Sequence, residues 1–103
     1  MKHFFYDWDK QGRVLLGREY CEPFGLKEDS AIVFQRISEK KFRIIPKEKA
    51  VGEISLRLEA KLDQKYRFFL PTILRKKYKN DFDLTYSIID ECFYITFAEF
   101  FEE

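Results

Sequence analysis

The chain has 103 residues, of which 46% are apolar, 18% aromatic and 36% charged, with three Pro and four Gly. This suffices for one domain with a modest core, is too short for two independent ones, and excludes a disordered or low-complexity chain. A net charge of +1 points to no partner by itself, two isolated cysteines exclude a disulfide scaffold, and no apolar run is long enough to span a membrane as a helix.

Residues 1–9 hold no apolar run before their first acids and do not read as a secretion signal, so a cytoplasmic protein with free thiols at Cys21 and Cys92 is expected. From His3 to Asp9 the apolar Phe4, Tyr6 and Trp8 alternate with polar residues, the period of a strand with one buried face. Asp9-Lys10-Gln11-Gly12 has the chemistry of a tight turn, and Arg13-Val14-Leu15-Leu16 follows as a second strand with Arg13 at its mouth. Gly17 to Glu22 is a short helix that Pro23 should stop, leaving Phe24 to Ser30 as a loop. Ala31–Ile37 and Lys41–Ile45 are β-branched and aromatic runs on either side of the polar Ser38-Glu39-Lys40, a hairpin.

Pro46 to Gly52 reads as a linker. Ile54, Leu56, Leu58, Ala60 and Leu62 then alternate with polar residues as a strand, followed by the turn Asp63–Tyr66 and a strand Arg67–Leu70. Pro71 opens a helix to Tyr78 whose last turn collects Arg75, Lys76 and Lys77, as the helix dipole favours. Leu84–Ile89 and Phe93–Phe97 form a second hairpin across Asp90-Glu91-Cys92, with Asp81 and Asp83 in a solvated turn before it.

The chain repeats itself. Asp9-Lys10-Gln11-Gly12-Arg13-Val14-Leu15-Leu16-Gly17 returns 54 positions later as Asp63-Gln64-Lys65-Tyr66-Arg67-Phe68-Phe69-Leu70-Pro71. Both read Asp, three residues, Arg, three apolar residues and a chain breaker, where seven Asp and seven Arg would give roughly half an Asp-x-x-x-Arg by chance. The same shift lays Leu58, Ala60 and Leu62 on Phe4, Tyr6 and Trp8, while the hairpins fall about 52 apart, as if the second loop had lost two residues. A single domain over 1–103 is therefore divided into a repeat at 2–46, a linker at 47–55 and a second repeat at 56–97. One unit would leave sheet edges open, and two can close on each other into a small barrel; an ordinary antiparallel sheet with two helices on one face is the other arrangement that fits.

Charge is polarised along the chain. Residues 57–79 carry 8 basic and 2 acidic groups, and residues 80–103 carry none and 7. There is one histidine, His3, and no Cys/His cluster, phosphate-cradling Gly loop or Gly-x-Ser-x-Gly, so an enzyme, a metal and a cofactor are not expected. The aromatics Phe93, Tyr94, Phe97, Phe100 and Phe101 are read as core and as a surface for self-association.

Asp-Lys-Gln-Gly-Arg-Val-Leu-Leu with the following Arg-Glu-Tyr and Gly-Leu-Lys-Glu, and the later Arg-Phe-Phe-Leu-Pro-Thr-Ile-Leu-Arg-Lys-Lys-Tyr, resemble the SpoVT-AbrB superfamily of bacterial DNA-binding proteins. Two copies in one chain are most similar to its MraZ branch. The resemblance implies a mainly β fold with short helices, a swapped-hairpin AbrB-type barrel of two tandem repeats, which takes two chains in AbrB proteins and one in MraZ-like proteins. It also implies a bacterial or phage transcriptional regulator that is nucleoid-associated, forms a homo-oligomer and binds double-stranded DNA. Carried over by position, the DNA-binding residues are Arg13 and Arg67 of the two motifs with Arg18, Arg75 and Lys76 in or beside the helices; Lys10, Lys65 and Lys77 join them on charge alone.

Three features depart from the family pattern: Gly17 replaces the usual Pro, Tyr66 the usual Gly, and a short segment the long connection between repeats. A tyrosine at positive φ costs about 1 kcal/mol or more, so the second turn is expected to take another shape. For Arg13 and Arg67 the other role is an ion pair with Asp9 and Asp63 that pins each turn, and for 75–77 a solvated helix end. The near-neutral charge and the acidic, aromatic final third keep open a protein-binding module on the same fold, antitoxin-like or an assembly subunit, without DNA binding.

Overall fold

A computed structural model describes the backbone of residues 2–7 and all of residues 13–50, 58–79 and 81–101. The expected turn at 9–12 with Lys10, Trp8, Gly52 and the strand positions 54–57 lie outside the described residues. The described residues form eight strands and two short α-helices: β1 (Lys2–Asp7), β2 (Arg13–Leu15), α1 (Arg18–Cys21), β3 (Ala31–Ser38), β4 (Lys41–Pro46), β5 (Glu59–Lys61), β6 (Arg67–Phe69), α2 (Thr72–Lys77), β7 (Asp81–Ser87) and β8 (Cys92–Phe97).

Six strands make one antiparallel sheet in the order β1-β7-β8-β4-β3-β5, and β2 and β6 make a separate two-stranded ribbon. The hairpins β3–β4 and β7–β8 lie side by side through β4 and β8. Each is completed by a strand from far along the chain. β1 pairs with β7 from Lys2↔Tyr86 to Asp7↔Asp81, and β5 pairs with β3 through Ala31↔Lys61, Ile32↔Ala60 and Val33↔Glu59.

The expected closed barrel does not form among the described residues. The sheet ends at β1 and at β5, and the strands that could have bridged those ends, β2 and β6, are three residues long and use their ladder on each other. The ribbon packs over the sheet instead: Val14 and Phe68 face each other in it and are both buried, and the Phe68 ring meets Phe34 edge-on at 5.6 Å. Around this contact, Leu16, Phe24, Ile32, Ile44, Leu70, Leu74, Leu84, Phe93 and Ile95 complete one continuous core. Cys21 and Cys92 are free and buried, and burial pushes the Cys21 thiol up to about 12, which makes it inert at neutral pH.

Several local expectations are corrected. Pro23 does not stop the helical path: it sits in the first turn of a 3-10 segment, Glu22–Phe24, where its missing N–H is no loss, and Gly25 at φ 77° ends the helix. β7 begins at Asp81, so Asp81 and Asp83 are in a strand and not in a turn, and Asp83 Oδ1 is buried without a hydrogen-bond partner. The same strand ends at Ser87, leaving Ile88 and Ile89 at the hairpin tip, where the Ser87 hydroxyl accepts the Asp90 N–H at 3.1 Å and Glu91 takes φ 53°. Of the strand expected over 54–62, residues Glu59–Lys61 are extended.

β2 and β6 begin 54 positions apart, as do α1 and α2, whereas β3 and β7 begin 50 apart and β4 and β8 51 apart. The second hairpin thus comes three or four residues early rather than two. Within the first hairpin a register shift between Arg36 and Ser38 puts a bulge in β3 and leaves Ile37 exposed.

Candidate nucleic-acid interface

The sharpest local geometry belongs to the turn leading into β6. The Tyr66 N–H donates to the Asp63 carbonyl at 3.1 Å, the Asp63 N–H to the Arg67 carbonyl at 2.8 Å, and Tyr66 takes φ 59°. This is a type I turn closed by a left-handed bulge residue, so the expectation that Tyr66 would force another shape is overturned. The ring is 8% exposed and packs in the core; burying an aromatic contributes about 1.5–3 kcal/mol, which outweighs the roughly 1–2 kcal/mol of the left-handed backbone.

Asp63 organises the turn with both carboxylate oxygens. Oδ1 accepts the Lys65 and Arg67 N–H groups at 2.8 and 2.9 Å, and Oδ2 accepts Arg67 Nε at 2.9 Å. Partial burial pushes this carboxyl up, but the N–H groups of Arg67 and Lys65 and the Arg67 guanidinium outweigh it and hold the group below its ordinary value. The pair engages Nε; Nη1 and Nη2 of the Arg67 fork take no part in it.

Arg13 and Arg67 occupy equivalent places in the ribbon, Arg13 opposite Phe69 and Arg67 opposite Leu15. Both line one depression of about 220 Å³, together with Asp29, Lys61, Leu62, Asp63, Phe68 and Phe69. Its charged walls hold three cations and two carboxylates. The same outer face of the ribbon leaves Leu15 45% and Phe69 55% exposed beside the arginines.

The remaining candidates do not converge on one spot. Lys65 is exposed in the turn, and Arg18 is exposed on α1, where its Nε pairs with Glu22 at 2.7 Å. Arg75 and Lys76 line a larger groove of about 750 Å³ between β5 and α2, which shares Lys61 and Phe69 with the first depression. Arg75 Nη2 reaches the Thr72 hydroxyl at 3.4 Å, while its Nε is buried without a partner. Lys77 faces elsewhere: its ammonium lies 5.6 Å from the Tyr78 ring and 5.7 Å from the Phe100 ring, where Lys40 joins it at 5.4 Å. Lys10 is outside the described residues.

Lys61 escaped the sequence reading, although it lies in the basic block 57–79 and on the polar register of its strand. Asp29 and the exposed Leu15 and Phe69 escaped as well, because only tertiary placement brings them to the arginines. Among the described residues no group of three or more His, Cys, Asp or Glu could hold a metal ion, and no helix is long and apolar enough to cross a membrane. Comparison with family models, with curated proteins and with solved structures returned no match.

Proposed function

We propose that this chain is a DNA-binding transcriptional regulator of AbrB/MraZ type: two tandem repeats that exchange strands across their hairpins, act as a cytoplasmic homo-oligomer, and grip double-stranded DNA through Arg13 and Arg67. The observation that carries this reading is the shared depression. Two arginines 54 positions apart, each four positions after an Asp, come to line one hollow on the ribbon. A guanidinium held at Nε by Asp63 with Nη1 and Nη2 outside that pair suits a phosphate, which accepts from two parallel N–H donors. The strand exchange, with β1 on β7 and β5 on β3, supports the swapped-hairpin part of the proposal. Lys65, Arg18, Arg75, Lys76, Lys77 and Lys10 would add contacts of lower weight around this centre.

The test is a fluorescence anisotropy titration on genomic DNA fragments at two salt concentrations. Affinity is expected to fall steeply with salt, and Arg13→Ala with Arg67→Ala to lower it and to flatten the salt slope by about 2 phosphate contacts. Absence of binding at low salt, or an unaltered affinity in the double variant, overturns the reading. One observation favours a second reading, a protein-binding module: Asp29 and Asp63 share the depression with the arginines, and Leu15 and Phe69 are exposed beside them, a mixed surface closer to a protein interface than to a phosphate track. Co-purification of a stoichiometric protein together with failure to bind DNA decides for it.

A further inference from the structure

The groove between β5 and α2 carries two charged atoms that are buried and unpartnered, Glu59 Oε2 and Arg75 Nε. Glu59 uses only Oε1, which accepts from Lys47 Nζ at 3.0 Å. Leaving both atoms unsatisfied costs free energy that a ligand can return, and the pair constrains its chemistry. A phosphate could satisfy Arg75 and would be repelled by Glu59. An extended peptide backbone carries both kinds of partner, a carbonyl that can accept from an Arg Nε–H and an N–H that can donate to a carboxylate. Among the described residues β5 is the end strand of the sheet, so its outer edge offers further main-chain groups to such a peptide.

The rest of the lining states what side chains the peptide should bring. Phe69 and Ile73 are 55% and 40% exposed, Leu70 and Pro71 floor the groove, and Lys61 and Lys76 stand with Arg75 on its walls, so an apolar anchor flanked by acids fits. The chain itself contains that sequence in Phe101-Glu102-Glu103, within a final 24 residues that hold seven acids and no base. Phe101 is 49% exposed while its N–H is fixed to the Lys77 carbonyl at 3.0 Å, so the ring projects outward from an anchored backbone.

We infer that the β5–α2 groove docks residues 101–103 of a second copy of the chain, the Phe101 ring against Phe69 and Ile73 and the two glutamates against Lys61 and Lys76. This docking supplies a contact for the proposed homo-oligomer and does not need DNA binding, although its groove shares Lys61 and Phe69 with the neighbouring depression. Light scattering across a concentration series of the full chain is the test. Mass is expected to rise above that of one chain, and K61E/K76E or E102K/E103K alone to weaken association at least tenfold. The four changes together restore complementarity and are expected to recover most of it, and a free peptide of residues 98–103 is expected to dissolve the wild-type assembly. Circular dichroism confirms that each variant is folded. A chain that stays monomeric throughout, including one that still binds the free peptide and therefore takes some other protein's segment, overturns the assignment, as does an assembly indifferent to either charge reversal.

Discussion

Asp63 illustrates how much a single half-buried carboxylate can settle when both of its oxygens are used. It closes the turn through two backbone N–H groups, and it holds the arginine that faces the depression. Because its folded pKa lies below the unfolded value of about 3.9, the contribution is fully present above that value and is lost as pH falls through the folded one. Asp63→Asn keeps an oxygen for the N–H groups and loses the charge, so it is expected to destabilise by roughly 0.5–1 kcal/mol at pH 7. Urea titrations of both proteins at pH 7, 5 and 3 check the sign: the difference should hold between pH 7 and 5 and begin to shrink as pH falls below the unfolded value towards the lower folded one. Tyr66 beside it obeys a different balance, in which a buried ring holds the backbone in a conformation that the residue type disfavours.

The β7–β8 hairpin tip shows where reading elements from residue type fails. Ile88 and Ile89 are β-branched and apolar and read as strand, yet Ile89 is 94% exposed in a turn fixed by the Ser87 hydroxyl and the left-handed Glu91. Nothing among the described residues covers it, so Ile89→Asn is expected to leave the unfolding free energy from urea titration within about 0.5 kcal/mol of wild type and to reduce retention on a hydrophobic column. The elements announced by local chemistry were legible: the helix opened by Pro71, the ribbon strands after each Asp-x-x-x-Arg, and the centres of both hairpins. What was not legible depends on distant partners. The acids Asp81 and Asp83 disguise the start of β7, which is extended because β1 and β8 flank it. In the same way the arginines could be found from the repeat, while Lys61, Asp29, Leu15 and Phe69 join them only once β5, the loop before β3 and the ribbon have been brought together.

At the scale of the molecule, neither half holds its own sheet. The first half lacks β5, the strand that covers its β3, the second lacks β1, the strand that covers its β7, and the ribbon takes one strand from each. Residues 1–50 and 51–103 produced separately are therefore expected to be largely unfolded by circular dichroism. Mixed in equal amounts, they should recover the strand signal and the exclusion volume of the intact chain; a first half that folds alone contradicts this dependence.

The pairing of Lys2 with Tyr86 also sets a timetable for synthesis. A ribosome adding about 5–20 residues per second makes β1 and then needs roughly 4–16 s to produce the strand it belongs beside. Throughout that interval this segment of the nascent chain, with two Phe and a Tyr, lacks the strand it pairs with. The yield of this protein in a cell is therefore expected to respond to translation speed and chaperone supply as well as to the stability of the finished fold.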